Sequence, residues 1–350
     1  MNISRILLIS ILLYSQALSA QTSIKLLTQK NGVSIRGLSV PQTSTIWASG
    51  SKGYIAKSTD GGQHFDWFQI KGYETRDFRS IHAWNDKEAI IVAIASPAVI
   101  LKTKDGGLNW YSVYVNKDTA MFLDAIHFKN DLEGLVVGDP IDTTIFLLNT
   151  ADRGEHWTPI NHSYFKTKLE QGEAFFASSS SNIAQQSNQV FLITGGNVSR
   201  LWIDGIAKDL PILQGASSTG ANSIAVSPTG DKIVIVGGDF SNPSNADKNI
   251  VGYNLFLEPN SNYKHLASKK IFWELNKKMG NPHGYKSSIV FITNTILITC
   301  GTSGVDISKN QGKDWELISS DSYHTIKKQP HQKAAFLAGS DGKIGYFALK

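Results

Sequence analysis

Seven short apolar segments of this sequence are interrupted at the same aligned point by a residue that could bind or move charge. These are Arg36, Arg79, Asp124 and Glu173, then Asn222, Ser287 and His324. Six of them are charged, amide or imidazole side chains, an unusual content for strands that are otherwise core. Two guanidinium forks suit a carboxylate or phosphate gripped by paired N–H donors. Two carboxylates are the minimum set for acid/base work on a glycosidic bond. Loop residues expected on the same face add Asp139 and Arg200. A second reading stands beside these. Arg36 and Arg79 balance Asp124 and Glu173 in charge, so the set can equally be a water-filled structural channel whose groups neutralise one another.

Bringing seven such positions together requires a repeating scaffold, and the repeat is visible. Ser58-Thr59-Asp60-Gly61-Gly62-Gln63-His64-Phe65 recurs around Asp105, around Asp152 and, more weakly, around Asn310. The shared pattern is S/T-x-D/N-x-G-x-x-W/F. Ser/Thr and Asp oxygens accept from turn N–H groups, glycine supplies a positive φ, and the aromatic folds back onto the core. Asp60, Asp105, Asp152 and Asn310 are therefore structural residues. The spacing is 45 residues from 60 to 105 and 47 from 105 to 152. The 158 residues from 152 to 310 hold three further intervals, and so two degenerate copies. An apolar strand ending in a small residue marks each unit, from Trp47-Ala48-Ser49-Gly50 to Leu337-Ala338-Gly339, and gives seven units. Four short strands per unit of this length predict propeller blades. The expected fold is an all-β, seven-bladed β-propeller over residues 21–350, one domain. The last unit lacks its fourth strand, and residues 23–29 are expected to supply it and close the ring.

These turns, the seven units and the opening Ser34-Ile35-Arg36-Gly37-Leu38 resemble the photosystem II stability/assembly factor-like proteins, which carry the Asp-box (bacterial neuraminidase, BNR) repeat. The resemblance covers essentially the whole chain after its first twenty residues. It implies a non-enzymatic binding or assembly factor whose partner meets the channel-mouth face. Sialidases are similar in sharing the Asp-box, so a sialidase-like glycoside hydrolase is the alternative. Sialidases need three arginines on the substrate carboxylate, and only five lie beyond the leader: Arg36, Arg76, Arg79, Arg153 and Arg200. Arg153 sits in a turn, and Gly37-Leu38 follows Arg36 where the sialidase motif has Ile-Pro.

Residues 1–20 read as a signal peptide: Arg5, an apolar run too short to span a bilayer, then small residues at Ala17 and Ala20. Secretion or a periplasmic location is expected, with no membrane span after its removal. Net charge is +5, with lysines scattered rather than clustered, which argues against a nucleic-acid partner. The expected partner is a protein or a small anionic ligand, and the expected state a monomer. One cysteine excludes an intramolecular disulfide. His64, His82, His127 and His156 are not spaced as ligands, so no metal and no cofactor are expected.

Overall fold

The computed structural model describes residues 23–141, 143–186, 188–257 and 271–349. The expected signal peptide lies outside the described residues. The described chain forms seven antiparallel sheets arranged as a β-propeller. Blade 1 runs through Ile35–Ser39, Ile46–Gly50, Tyr54–Ser58 and Asp66–Gln69. Blade 2 begins at Phe78–Ala83, blade 3 at Leu123–Phe128, blade 4 at Ile183–Gln186 and blade 5 at Thr219–Val226. Blade 6 begins at Ser288–Phe291 and blade 7 at Thr325–Lys328.

Position in the blade explains composition. The second strand of blade 2, Ala89–Ala93, is buried at every residue because neighbouring blades cover both of its faces. The outer strand Asp66–Gln69 is exposed at both ends and alternates less strictly. Ring closure is as expected. Lys25–Thr28 pairs antiparallel with Ile344–Ala348 and becomes the outer strand of blade 7.

Where it occurs, the repeated turn packs its blade against the one before it. In blade 2, Thr103 Oγ1 donates to Asp105 Oδ1 at 2.9 Å and accepts from the Gly107 N–H at 3.0 Å. Asp105 Oδ1 also accepts from the Asn109 N–H at 2.9 Å. Gly107 has φ 93°, and a Cβ there would sit 2.7 Å from the Phe68 ring of blade 1. Glycine is needed twice over: for the left-handed backbone and for the contact. Trp110 then folds back edge-on to Trp47, 6.4 Å between ring centres. Blade 4 replaces this turn with the two-residue hairpin Asp204-Gly205, both at positive φ. The corresponding connection of blade 5 falls outside the described residues.

Asp105→Ala should destabilise the protein by about 0.5–2 kcal/mol, toward the lower figure because the turn is exposed. The Asn109 N–H and side-chain amide hold the Asp105 carboxyl down at about 2. A depressed carboxylate stabilises above its unfolded pKa of ~3.9, and that contribution disappears as pH falls through about 2. The difference between wild type and variant in urea melts should therefore close on acidification. A gap that persists unchanged at low pH would show that the turn does not depend on the carboxylate.

Candidate functional site

Bulges in the inner strands decide which side chains reach the channel. In blade 1, Ile35 pairs with Gly50 but Gly37 pairs with Ser49, leaving Arg36 as the extra residue. The register breaks identically at Arg79, Asp124 and Asn222. A bulge re-aims its extra side chain, here out of the blade and toward the axis. Ser287 and His324 occupy the same point just before the inner strands of blades 6 and 7.

Arg36, Arg79, Asn222, Ser287 and His324 line one cavity of about 460 Å³ at this end of the channel, joined by Asp139 from the second-to-third-strand loop of blade 3. The opposing wall is aromatic: Phe122, Phe175, Phe176, Phe240 and Tyr285. Phe240 links two of them edge-on, 5.8 Å from Phe176 and 6.3 Å from Tyr285. Arg36 Nη1 donates to the Ser178 carbonyl at 3.2 Å, and Arg79 Nε donates to Asp77 at 2.8 Å. Burial, and then the neighbouring Arg79 charge, lower the Arg36 pKa. Both guanidiniums thus keep N–H groups free in a partly desolvated space.

Of the remaining polar groups, Asn222, Ser287 and His324 are uncharged at neutral pH, and Asp139 is a carboxylate. His324 bridges two blades, Nδ1 to the Ile35 carbonyl at 3.0 Å and Nε2 to Ser340 Oγ at 3.2 Å. A carbonyl can only accept, so Nδ1 carries the proton. Burial lowers the imidazole to about 4, helped by Arg36. Asn222 accepts from the Tyr285 hydroxyl at 2.8 Å. Burial pushes Asp139 up to about 6, although the Phe175 N–H partly offsets this.

Three expected site residues do not line this cavity. Asp124 has the aligned position but is sealed from solvent, with neither carboxylate oxygen hydrogen-bonded. Burial, reinforced by Asp139 and opposed by Arg79, raises its pKa well above the carboxylate range. Glu173 is not on the inner strand of blade 4. It lies ten positions earlier, in a two-residue strand paired with Gly195–Gly196. There it is gripped by Arg200, whose Nε reaches both carboxylate oxygens at 3.1 Å, and by Trp202 Nε1 at 3.1 Å. Arg200 is committed to this buried pair and stacks on Trp202, 4.8 Å from the ring. The two carboxylates considered for glycoside chemistry therefore do not share an open pocket.

The residues 178–181 give the reason for the misplacement. Ser178, Ser179, Ser180 and Ser181 are all buried, and together they cross the channel as a plug. Ser181 donates to Ser223 of blade 5 at 2.8 Å, and Ser179 donates to the carbonyl of Ser287 at 2.6 Å. Thr325 of blade 7 donates to the Ser179 carbonyl at 3.1 Å, while Ser180 and Ser80 of blade 2 bond through their hydroxyls. Space exists because the residue after each bulge is small: Gly37, Ser80, Ala125, Ser223. Every inner strand steps from such a polar or small residue to a branched apolar one, and in blade 4 that step is Asn182-Ile183, which puts Ser181 at the aligned position. A serine run reads as loop when taken alone. The Asn-Ile step after it is the signal that could have placed the strand.

No family model and no curated protein sequence matches the chain. Solved structures do resemble it in fold. "YCF48 bound to D1 peptide" is 14% identical with TM-score 0.58, over 92% of this chain and 96% of that one. YCF48 from Cyanidioschyzon merolae is 16% identical with TM-score 0.59, over 93% and 99%. The WD40 β-propeller domain of Doa1 is 10% identical with TM-score 0.56, over 94% and 98%. At these identities the likeness is one of fold.

Proposed function

We infer that this chain is a non-enzymatic, exported propeller of assembly-factor type that captures an acidic, aromatic-bearing peptide segment in the plugged cavity. One observation carries the reading. Two guanidiniums with free N–H groups face a wall of five aromatic rings across about 460 Å³. Such a pocket pairs a carboxylate with an apolar side chain, a combination that a peptide offers and water does not. Peptide capture by a YCF48 propeller of the same fold supports the class of partner. The apolar leader at residues 1–20 supports export. The plug also favours a surface site over a through-channel, since a segment seated here meets a floor.

Fluorescence anisotropy with short peptides of graded acidic and aromatic content tests this. Acidic aromatic peptides should bind and basic ones should not. Charge-assisted hydrogen bonds contribute about 1.5–3 kcal/mol each, so Arg36→Gln with Arg79→Gln should weaken binding at least about 100-fold. Melting should change little. Glu173 keeps Arg200, and neither Asp124 oxygen is hydrogen-bonded to Arg36 or Arg79, so neither carboxyl loses a hydrogen bond. Asp139 adds a pH signature. Below about 6 it is neutral and no longer opposes an anion, so acidic peptides should bind about 3- to 10-fold more tightly on acidification through that range. Asp139→Asn should give the tighter binding at all pH values. Peptides that bind the double arginine variant as well as wild type would remove this reading.

A further inference from the structure

Below the plug the channel opens again at the opposite end, into a second cavity of about 520 Å³. Its polar groups are unevenly spread. Blades 4, 5 and 6 present mainly apolar side chains, among them Ala184, Ala225, Val226, Val290 and Phe291. The arc formed by blades 7, 1, 2 and 3 sets Lys327, Ser39, His82 and His127 among apolar neighbours that include Val40 and Phe128. Lys328 stands at the rim, and Gln185 contributes a buried side-chain oxygen with no hydrogen-bond partner. Among the described residues lining this cavity there is no carboxylate. A lysine that faces a cavity without a counter-ion is costly, and proteins usually neutralise such a group.

We propose that this lower cavity is a binding site for a small organic carboxylate with an apolar body. The carboxylate sits on Lys327 with His82 and His127 as flanking hydrogen-bond partners, and the body lies on the apolar arc of blades 4 to 6. The bound anion supplies the counter-ion that the fold omits. An inorganic anion would leave the apolar half empty, and a neutral amphiphile would leave Lys327 unpaired. The site is separated from the upper cavity by the serine plug, so the two can be tested independently.

The groups that set its pH response are few. Burial lowers Lys327 to about 8. Burial first and then the Lys327 charge lower His127 to about 4. Burial first, then His127, Lys327 and Arg153, lower His82 to about 3. Lys328 adds charge at the rim. The imidazoles are thus neutral at ordinary pH, and Lys327 carries the charge that holds the anion. Binding should persist at neutral pH and fall as pH rises through about 8.

Isothermal titration with hexanoate, hexanol and sulfate on the purified protein tests this. Hexanoate should bind saturably, with hexanol and sulfate each at least about tenfold weaker. Lys327→Met should reduce hexanoate affinity by about tenfold or more while leaving hexanol unchanged, and it should not destabilise the fold, since it removes an unpaired charge. Should that variant fail to fold, Val290→Trp fills the cavity from the apolar side and should abolish binding. Arg36→Gln with Arg79→Gln should leave hexanoate binding as it is. Absence of hexanoate binding, equal binding of hexanol or sulfate, or an affinity that neither Lys327→Met nor Val290→Trp changes would each overturn the proposal.

Discussion

Replacing Arg200 by methionine is expected to destabilise the protein by about 3–5 kcal/mol, as large an effect as any single substitution outside the packed core should have. The reason is Glu173. Its side chain has no solvent exposure, and Arg200 is the cation that compensates it. Removing the guanidinium leaves a carboxylate in a dry interior, where it must either stay charged without a partner or take up a proton. The methionine also vacates the stack on Trp202 and the hydrogen bond to the Lys168 carbonyl, 2.8 Å long. Adding Glu173→Gln to the same chain should restore most of the loss. The amide oxygen can still accept from Trp202 Nε1, and no charge is then buried. Urea denaturation of wild type, single and double variants measures this. An Arg200→Met protein with a wild-type midpoint would mean that water reaches Glu173 and that the pair is not load-sharing in the fold.

Deleting residues 23–29 should open the propeller. The outer strand of blade 7 is Lys25–Thr28, paired with Ile344–Ala348 in the register Lys25 to Tyr346 and Leu26 to Gly345. Leu27 packs into the core shared by blades 7 and 1, lying against the Gly62 turn of blade 1. Trp67 Nε1 donates to Thr28 Oγ1 at 3.3 Å. This strand is where the two ends of the chain hold one another, so its loss affects the closure of the whole ring. Counting Leu27 burial and the ladder bonds, the loss is on the order of 3 kcal/mol. At roughly 2–4 °C per kcal/mol, the melting temperature should fall by about 6–12 °C. The bared edge of Ile344–Ala348 should also promote association, visible as concentration-dependent light scattering. Melting and scattering like those of the undeleted chain would show that the ring closes without this strand.

The architecture was legible because it is written many times over. Four copies of the aspartate turn and seven small-ended apolar strands each report on the same unit, so an error in one copy is corrected by the others. The missing fourth strand of the last unit and the spare strand near the start then implied closure by simple accounting. The aligned polar positions at Arg36, Arg79, Asp124, Asn222, Ser287 and His324 were readable for the same reason: each precedes a recurring step from a small or polar residue to a branched apolar one. The bulge that turns those side chains inward is a local backbone event at a repeated place.

Blade 4 was not legible, and the failure is physical. Glu173-Ala174-Phe175 has the alternation of an inner strand, yet its carboxylate is used by Arg200, a partner 27 residues away that only the folded chain brings near. The true inner strand hides behind four serines. Their hydroxyls are polar in isolation and buried once blades 2, 5, 6 and 7 surround them with acceptors and donors. Sequence alone therefore determined the number of blades, the turns that join them and the way the ring closes, because these depend on short-range pattern repeated along the chain. Tertiary structure alone decided which polar residues share a cavity, that a serine plug divides the channel in two, and that Asp124 and Glu173 are buried rather than exposed. Those outcomes depend on which distant side chains become neighbours, and on how much water is left between them.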